Sequence, residues 1–130
     1  MFAKAPLAGC QVVIEDGSGA ILLLRHSYGP KVWALPGGGV AKGEYPKAAA
    51  QREMAEELNL DLAEISYAGM LEDIVSGSAH IMHVFCVATD QSPQPDLREL
   101  VLARFFDPCA LPQNLSQRTS QCLALWQDNK

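Results

Sequence analysis

The sequence predicts an α/β layered domain, and three observations carry that prediction. Two apolar runs near the N-terminus, Cys10–Glu15 and Ala20–Arg25, flank the turn-forming Asp16-Gly17-Ser18-Gly19 and read as paired strands. His80–Ala88 and Val101–Phe106 are further apolar runs of strand length. Two segments instead carry helical signals, one in the middle of the chain and one at its C-terminal end. A chain of 130 residues is expected to form one domain, residues 1–130, with enough surface removed from water for a real core.

The elements follow in order. After the first two strands, Ser27-Tyr28-Gly29-Pro30 reads as a short loop leading to Val32-Trp33. Leu35-Pro36-Gly37-Gly38-Gly39 is poor helix and poor strand, but three glycines permit close backbone approach to a ligand or metal. Pro46 offers a helix start, and the helix is expected to end near Asn59. Leu62–Leu71 reads as a strand broken by Gly69, and Glu72–Ser78 as a loop. Asp90–Asp96, with Pro93 and Pro95, reads as a polar connection. Ser116–Gln127 places Cys122, Leu123, Leu125 and Trp126 at helical spacing.

The central helix holds the chemistry. Glu53, Glu56 and Glu57 crowd within five residues, beside Arg52, and such like charges repel unless a cation is present. At helical pitch the three fall within an arc of about 100°. Ala48, Met54, Ala55 and Leu58 are expected on the other side, facing a core. Grouped hard oxygen ligands suit Mg²⁺ or Mn²⁺. Acidic helix faces are commonly only solvated, and the flanks decide between the two readings. Gly38 opens a pattern in which Glu44 follows five intervening residues and Arg52-Glu53 seven more. Met54, the Glu56-Glu57 pair and Leu60 then complete it.

This segment resembles the box of the Nudix family, G-x5-E-x7-R-E-U-x-E-E-x-G-U, with U a bulky apolar residue. It covers 23 of the 130 residues, and the order of elements resembles the family along the whole chain. One fixed position departs: Asn59 stands where the family has glycine at the helix end. Asn is the next residue most tolerant of the left-handed conformation needed there. The resemblance implies an α/β/α sandwich with a mixed sheet between helices, and water attack on phosphorus in a nucleoside diphosphate linked to another group. It further implies Glu56 and Glu57 as main metal ligands, with Glu53 a further ligand or the group that handles the water. Arg52 would organise these carboxylates, Glu44 would be a structural anchor, and a backbone carbonyl of Gly37 or Gly38 would complete the shell. Glu99 is the candidate for a further glutamate from a later loop. Arg25, Tyr28 and Trp33 are candidates for contact with phosphate or base.

Composition sets the remaining bounds. A net charge of −5 argues against a basic groove for duplex nucleic acid, but not against phosphorylated small molecules whose charge bound cations would offset. No apolar run reaches membrane-spanning length, and residues 1–10 lack a signal-peptide pattern. Cys10, Cys86, Cys109 and Cys122 show no CxxC spacing, and Cys86 and Cys122 are expected as reduced core residues of a cytoplasmic protein. His26, His80 and His83 each stand alone in or beside a strand and are expected to be structural. Within the resemblance, a nucleotide sensor would have lost acidic box residues, whereas this chain keeps all four glutamates. Family members acting on ADP-ribose often carry a proline about fifteen residues past the box, whereas Asp73-Ile74-Val75-Ser76 has none, and no signature of dinucleoside polyphosphate hydrolases is visible. Nucleoside triphosphates are the leading substrate expectation, with specificity in loops 27–31, 72–79 and 90–98, and a homodimer is compatible.

Overall fold

The computed structural model describes residues 7–26, 29, 31–75, 77–96 and 100–130. The elements in chain order are β1 (Leu7–Glu15), β2 (Ile21–His26), β3 (Gly37–Gly39), α1 (Pro46–Leu58), β4 (Ser66–Val75), β5 (Ser78–Ala88), β6 (Leu100–Phe106) and α2 (Gln117–Asp128). The strands form one six-stranded mixed sheet in the order β4-β5-β1-β2-β6, with β3 attached to β1. β1 and β5 run parallel from Leu7 opposite His80 to Glu15 opposite Ala88. The other pairings are antiparallel.

The helices cover opposite faces of this sheet, which explains why β1 and β2 contain unbroken apolar runs instead of a polar alternation. Cys10, Val12, Ile14, Leu22 and Leu24 pack with Ala49, Ala50, Met54 and Leu58 of α1. Val13, Ile21 and Leu23 pack with Cys122, Leu123 and Trp126 of α2. Each such side chain contributes about 1.5–3 kcal/mol on burial. The expected α/β/α sandwich is therefore the observed architecture. No helix among the described residues is long and apolar enough to cross a membrane.

What positions the site is a fork in β1. Its last residue, Glu15, pairs with Ile21 of β2. Nearer its start, Gly9, Cys10 and Gln11 pair instead with Gly39, Gly38 and Gly37 of β3. The glycine run is thus a short strand, and it lies under α1.

Three sequence expectations change. The β4–β5 connection is a tight hairpin, not a loop over Glu72–Ser78: β4 continues to Val75 and β5 begins at Ser78. Gly77 supplies a φ of 77° at the turn. Glu72 and Asp73 look loop-like because they are polar, but they are exposed and pair with Ile81 and His80. Second, Gly69 does not break the strand. It accommodates a register shift after Tyr67, with a φ of 138°. The strand starts later than expected because Leu62 and Ile65 reach the core from an irregular segment, held where the Gln51 amide donates to the Leu62 and Ala63 carbonyls. Third, Ala48 and Ala55 are exposed, while Ala49 and Ala50 are buried with Met54 and Leu58. The helix is turned so that the Glu53 and Glu57 side of its surface borders the sheet, because side-chain-free β3 lets that side approach.

Pro46 is in the first turn of α1, as its missing N–H favours. Asn59 ends the helix with φ 55° and donates its N–H to the Ala55 carbonyl, while the Leu60 N–H reaches Met54. The Asn59 amide also donates to Gln94 at 3.1 Å. The last carbonyls of α1 meet the 90–96 connection, where Asp96 donates to Glu57 O and Gln94 to Leu58 O, both at 2.8 Å. α2 starts with Ser116 as a side-chain cap, its hydroxyl accepting from the Thr119 N–H. The cysteines are free. Burial raises the Cys10 and Cys122 thiols to about 11, whereas Cys86 is only half-buried and Cys109 is exposed.

Candidate active site

Arg52 is the hub of the acidic face. Its Nε and Nη2 donate to the two carboxylate oxygens of Glu44 at 2.9 and 3.0 Å. Its Nη1 donates to Glu53 Oε1 at 2.9 Å and lies 3.5 Å from Glu56 Oε2. Nη2 also donates to the Gly39 carbonyl at 3.1 Å. One guanidinium thus fastens β3 and the following loop to α1 through planar, charge-assisted bonds, a geometry lysine could not reproduce. The Arg52 bonds, with an added N–H from Ala41, hold the Glu44 carboxyl at about 2. The same bonds raise Arg52 above its ordinary value, so the pair is fully ionised at neutral pH.

Glu53 sits directly over β3. A Cβ placed on Gly38 would lie 2.2 Å from the Glu53 carboxyl carbon and 2.5 Å from each of its oxygens. A Cβ on Gly37 would instead lie 2.1 Å from the Cys10 carbonyl oxygen of β1. The two glycines therefore serve different purposes: Gly37 permits the strand pairing, and Gly38 leaves the space that the carboxylate occupies. The Glu53 side chain is 16 % exposed and that of Glu56 61 %. Oε2 of Glu53 has no protein donor among the described residues, so it can accept from a ligand or water.

Glu57 reaches a different surface. With Gly37 and Gly38 it lines a cavity of about 300 Å³, whose other walls include Gln11, His26, Leu35 and Met82. Sequence reasoning did not place Gln11 or Met82 there. The available signal was a lone polar residue in the apolar run of β1. His26, expected to be structural, is also one of the walls of this cavity. Asp96, expected only as part of a polar connection, touches α1 through its backbone at Glu57.

The structure does not gather every candidate. Trp33 is 6 % exposed, meets Phe106 edge-on at 4.9 Å and lies beneath the Arg104 guanidinium at 5.6 Å. Its backbone is bonded to Asn114 and Ser116. A ring so enclosed has no open face for a base, because the α2 side of the sheet needs it for packing. Arg25 lies on β2 opposite Leu102, at a register irregularity, and does not line the cavity with its neighbour His26. Tyr28 and Glu99 lie outside the described residues. His83 shares a 2.8 Å hydrogen bond with Tyr67, and burial lowers its pKa.

Among the described residues, no three His, Cys, Asp or Glu side chains converge into a closed metal cage. Carboxylates spaced along one helix fit a cation that needs only one or two of them. Mg²⁺ is commonly held that way, keeping its remaining positions for water and substrate phosphates. The seat left by Gly38 for Glu53 and the placement of Glu57 beside Gly37 meet that requirement.

A NUDIX domain model matches residues 6–126. The chain is 40 % identical over 67 residues to the RNA pyrophosphohydrolase of Roseobacter denitrificans, covering 48 % of this chain and 42 % of that protein. It is 30 % identical over 120 residues to the m7GpppN-mRNA hydrolase NUDT17 of Xenopus laevis, covering 76 % of this chain and 40 % of that protein. These matches span less than half the length of either curated relative. Among solved structures, the MutT NUDIX hydrolase from Burkholderia pseudomallei superposes with a TM-score of 0.82 at 26 % identity, covering 94 % of this chain and 98 % of that one.

Proposed function

Because the chain belongs to the NUDIX domain family, we propose that it is a divalent-metal-dependent pyrophosphohydrolase acting on nucleoside triphosphates. Water would attack phosphorus and break one phosphoric anhydride bond, leaving a nucleotide and a phosphate fragment. The observation that carries this reading is the convergence at β3. Glu57 shares a cavity with Gly37 and Gly38, while Glu53 is held over Gly38 by Arg52.

The residues divide the work. Glu56 and Glu57, with Glu53 and a carbonyl of Gly37 or Gly38, would hold Mg²⁺ or Mn²⁺. When bound, that cation would offset the charge of the diphosphate and acidify the attacking water. Glu53 would orient the water or take its proton through Oε2, a reading supported by Arg52 engaging Oε1. Arg52 fixes the direction of that carboxylate, and Glu44 fixes Arg52. Glu99, outside the described residues, is the candidate for a carboxylate from a later loop. Positioning and charge compensation would supply most of the rate, as in phosphoryl transfer generally.

The relatives named above support nucleotides carrying a 5′-phosphoanhydride as the substrate class. The net charge of −5 favours small nucleotides over long nucleic acids within that class. The test is a hydrolysis screen with Mg²⁺ or Mn²⁺ over nucleoside triphosphates, dinucleoside polyphosphates, ADP-ribose, NADH and nucleotide sugars, run beside Glu57→Gln. Turnover of triphosphates that needs the metal and falls by orders of magnitude in the variant is the expected result. Near-normal turnover by a folded Glu57→Gln protein would sink the ligand assignment. Hydrolysis of none of the panel would favour a nucleotide-binding sensor.

A further inference from the structure

Two polar side chains of the cavity are left unused by the proposed chemistry, His26 and Gln11, and the amide of Gln11 is the more telling. It sits on β1, opposite Gly37 of β3 and Val84 of β5. Its Oε1 is buried and has no hydrogen-bond partner. A buried acceptor left unsatisfied destabilises the folded state, so native structures rarely keep one without a use. Gln11 also lines the cavity that holds Glu57, Gly37 and Gly38. A ligand whose phosphates are engaged at Glu57 would have this amide in the same cavity.

The walls say what kind of group belongs there. Among the described residues no Lys or Arg lines the cavity, so there a phosphate would meet no ammonium or guanidinium, only the His26 imidazole. Leu35 and Met82 provide apolar surface, and a methionine thioether packs well against aromatic rings. Apolar surface beside a placed amide acceptor suits a flat, uncharged heterocycle bearing an N–H. A nucleobase with an exocyclic amine has that chemistry, and glutamine amides pair with such edges.

We infer that Gln11 is a specificity-determining residue, whose buried amide oxygen accepts a hydrogen bond from the exocyclic amine of the substrate's base. This rests on the nucleotide reading of the same site. A site built to bond a donor rejects the analogue lacking it, because its own acceptor is then left unpaired again. Gln11 trades stability of the free protein for recognition, so replacing it with an apolar isostere should raise stability while erasing selectivity.

The experiment is calorimetric binding with Mg²⁺, using α,β:β,γ-bismethylene analogues so that neither anhydride bridge can be cleaved. Two pairs are compared on the wild type and Gln11→Met: adenosine against purine riboside triphosphate, and guanosine against inosine triphosphate. The wild type should prefer the amino-bearing member of at least one pair by about 10- to 100-fold, and Gln11→Met should bind both members equally. The ligand-free variant should melt at the wild-type temperature or above. No preference in the wild type, binding of none of the analogues, or a preference that survives Gln11→Met overturns the inference. So does a melting temperature lowered in the variant, which would make Gln11 a packing residue. Binding with the expected preference, but hydrolysis of none of the parent triphosphates, overturns the hydrolase reading and leaves Gln11 as the base reader.

Discussion

Replacing Gly38 and Gly37 with alanine, one at a time, separates the seat of a carboxylate from the integrity of a strand. In Gly38→Ala the new methyl would lie 2.2 Å from the Glu53 carboxyl carbon, where ordinary contact begins at 3.4 Å. The carboxyl must therefore retreat by about 1 Å, a displacement that can lower turnover about 100-fold, or about 2.7 kcal/mol of transition-state stabilisation. The atom in the way is the end of a flexible side chain, and Gly38 needs no positive φ, so the fold should survive. The Arg52–Glu53 bond would weaken, and because Arg52 is solvated this should lower the melting temperature only slightly. In Gly37→Ala the methyl meets the backbone oxygen of Cys10 at 2.1 Å, which cannot swing away. Pairing of β3 with β1 should be lost, at about 3 kcal/mol or more. The assay is nucleoside triphosphate hydrolysis, followed by released pyrophosphate or phosphate, beside thermal melts of both variants. A folded Gly38→Ala enzyme within a few-fold of wild type would refute the seat. Equal destabilisation by the two substitutions would refute the distinction between them.

Other outcomes follow from the same contacts. Asn59→Gly should change stability by no more than about 0.5 kcal/mol, since it relieves the left-handed φ of 55° but removes the exposed bond to Gln94; a loss above 2 kcal/mol in a denaturant titration would contradict this. The Glu44 carboxyl is depressed from 4.5 to about 2 by Arg52 and the Ala41 N–H, so its stabilising pairing is fully present above pH 4.5 and lost as pH falls towards 2. Acid melts of Glu44→Gln should accordingly be flatter than wild type across that window, and identical slopes would contradict the pairing. Millimolar Mg²⁺ or Mn²⁺ should raise the melting temperature by binding the native state alone, by about 2.7 kcal/mol at 100 times the dissociation constant; no shift at any millimolar concentration would count against the carboxylate site.

Much of the layering was legible in the chain. Val12-Val13-Ile14 and Ile21-Leu22-Leu23-Leu24 are apolar without alternation, and both faces of those strands are buried. Pro46 and Asn59 bracket α1 as local backbone chemistry requires. The Glu72–Ser78 reading failed because polarity says little about an edge strand, whose outward side chains are solvated even while its backbone pairs with β5. Trp33 suits base stacking by residue type alone. Only the packing of Phe106, Arg104 and α2 around it shows that its ring is enclosed.

The acidic box illustrates where the two kinds of information divide. Spacing alone places Glu53, Glu56 and Glu57 on one arc of a helix, because helical periodicity is local and needs no partner. The rotation of that helix is not local. It depends on how closely α1 can approach β3, where bare Gly38 admits the Glu53 carboxylate while Ala49 and Ala50 pack into the core. That rotation turns a presumed outward face into the rim of the sheet, and brings Glu57 to the same cavity as Gln11. The sequence by itself determined the donor set and the chemistry it suits. Which carboxylate is seated over Gly38, and which one shares a cavity with the distant Gln11 amide, was decided by packing between residues far apart in the chain.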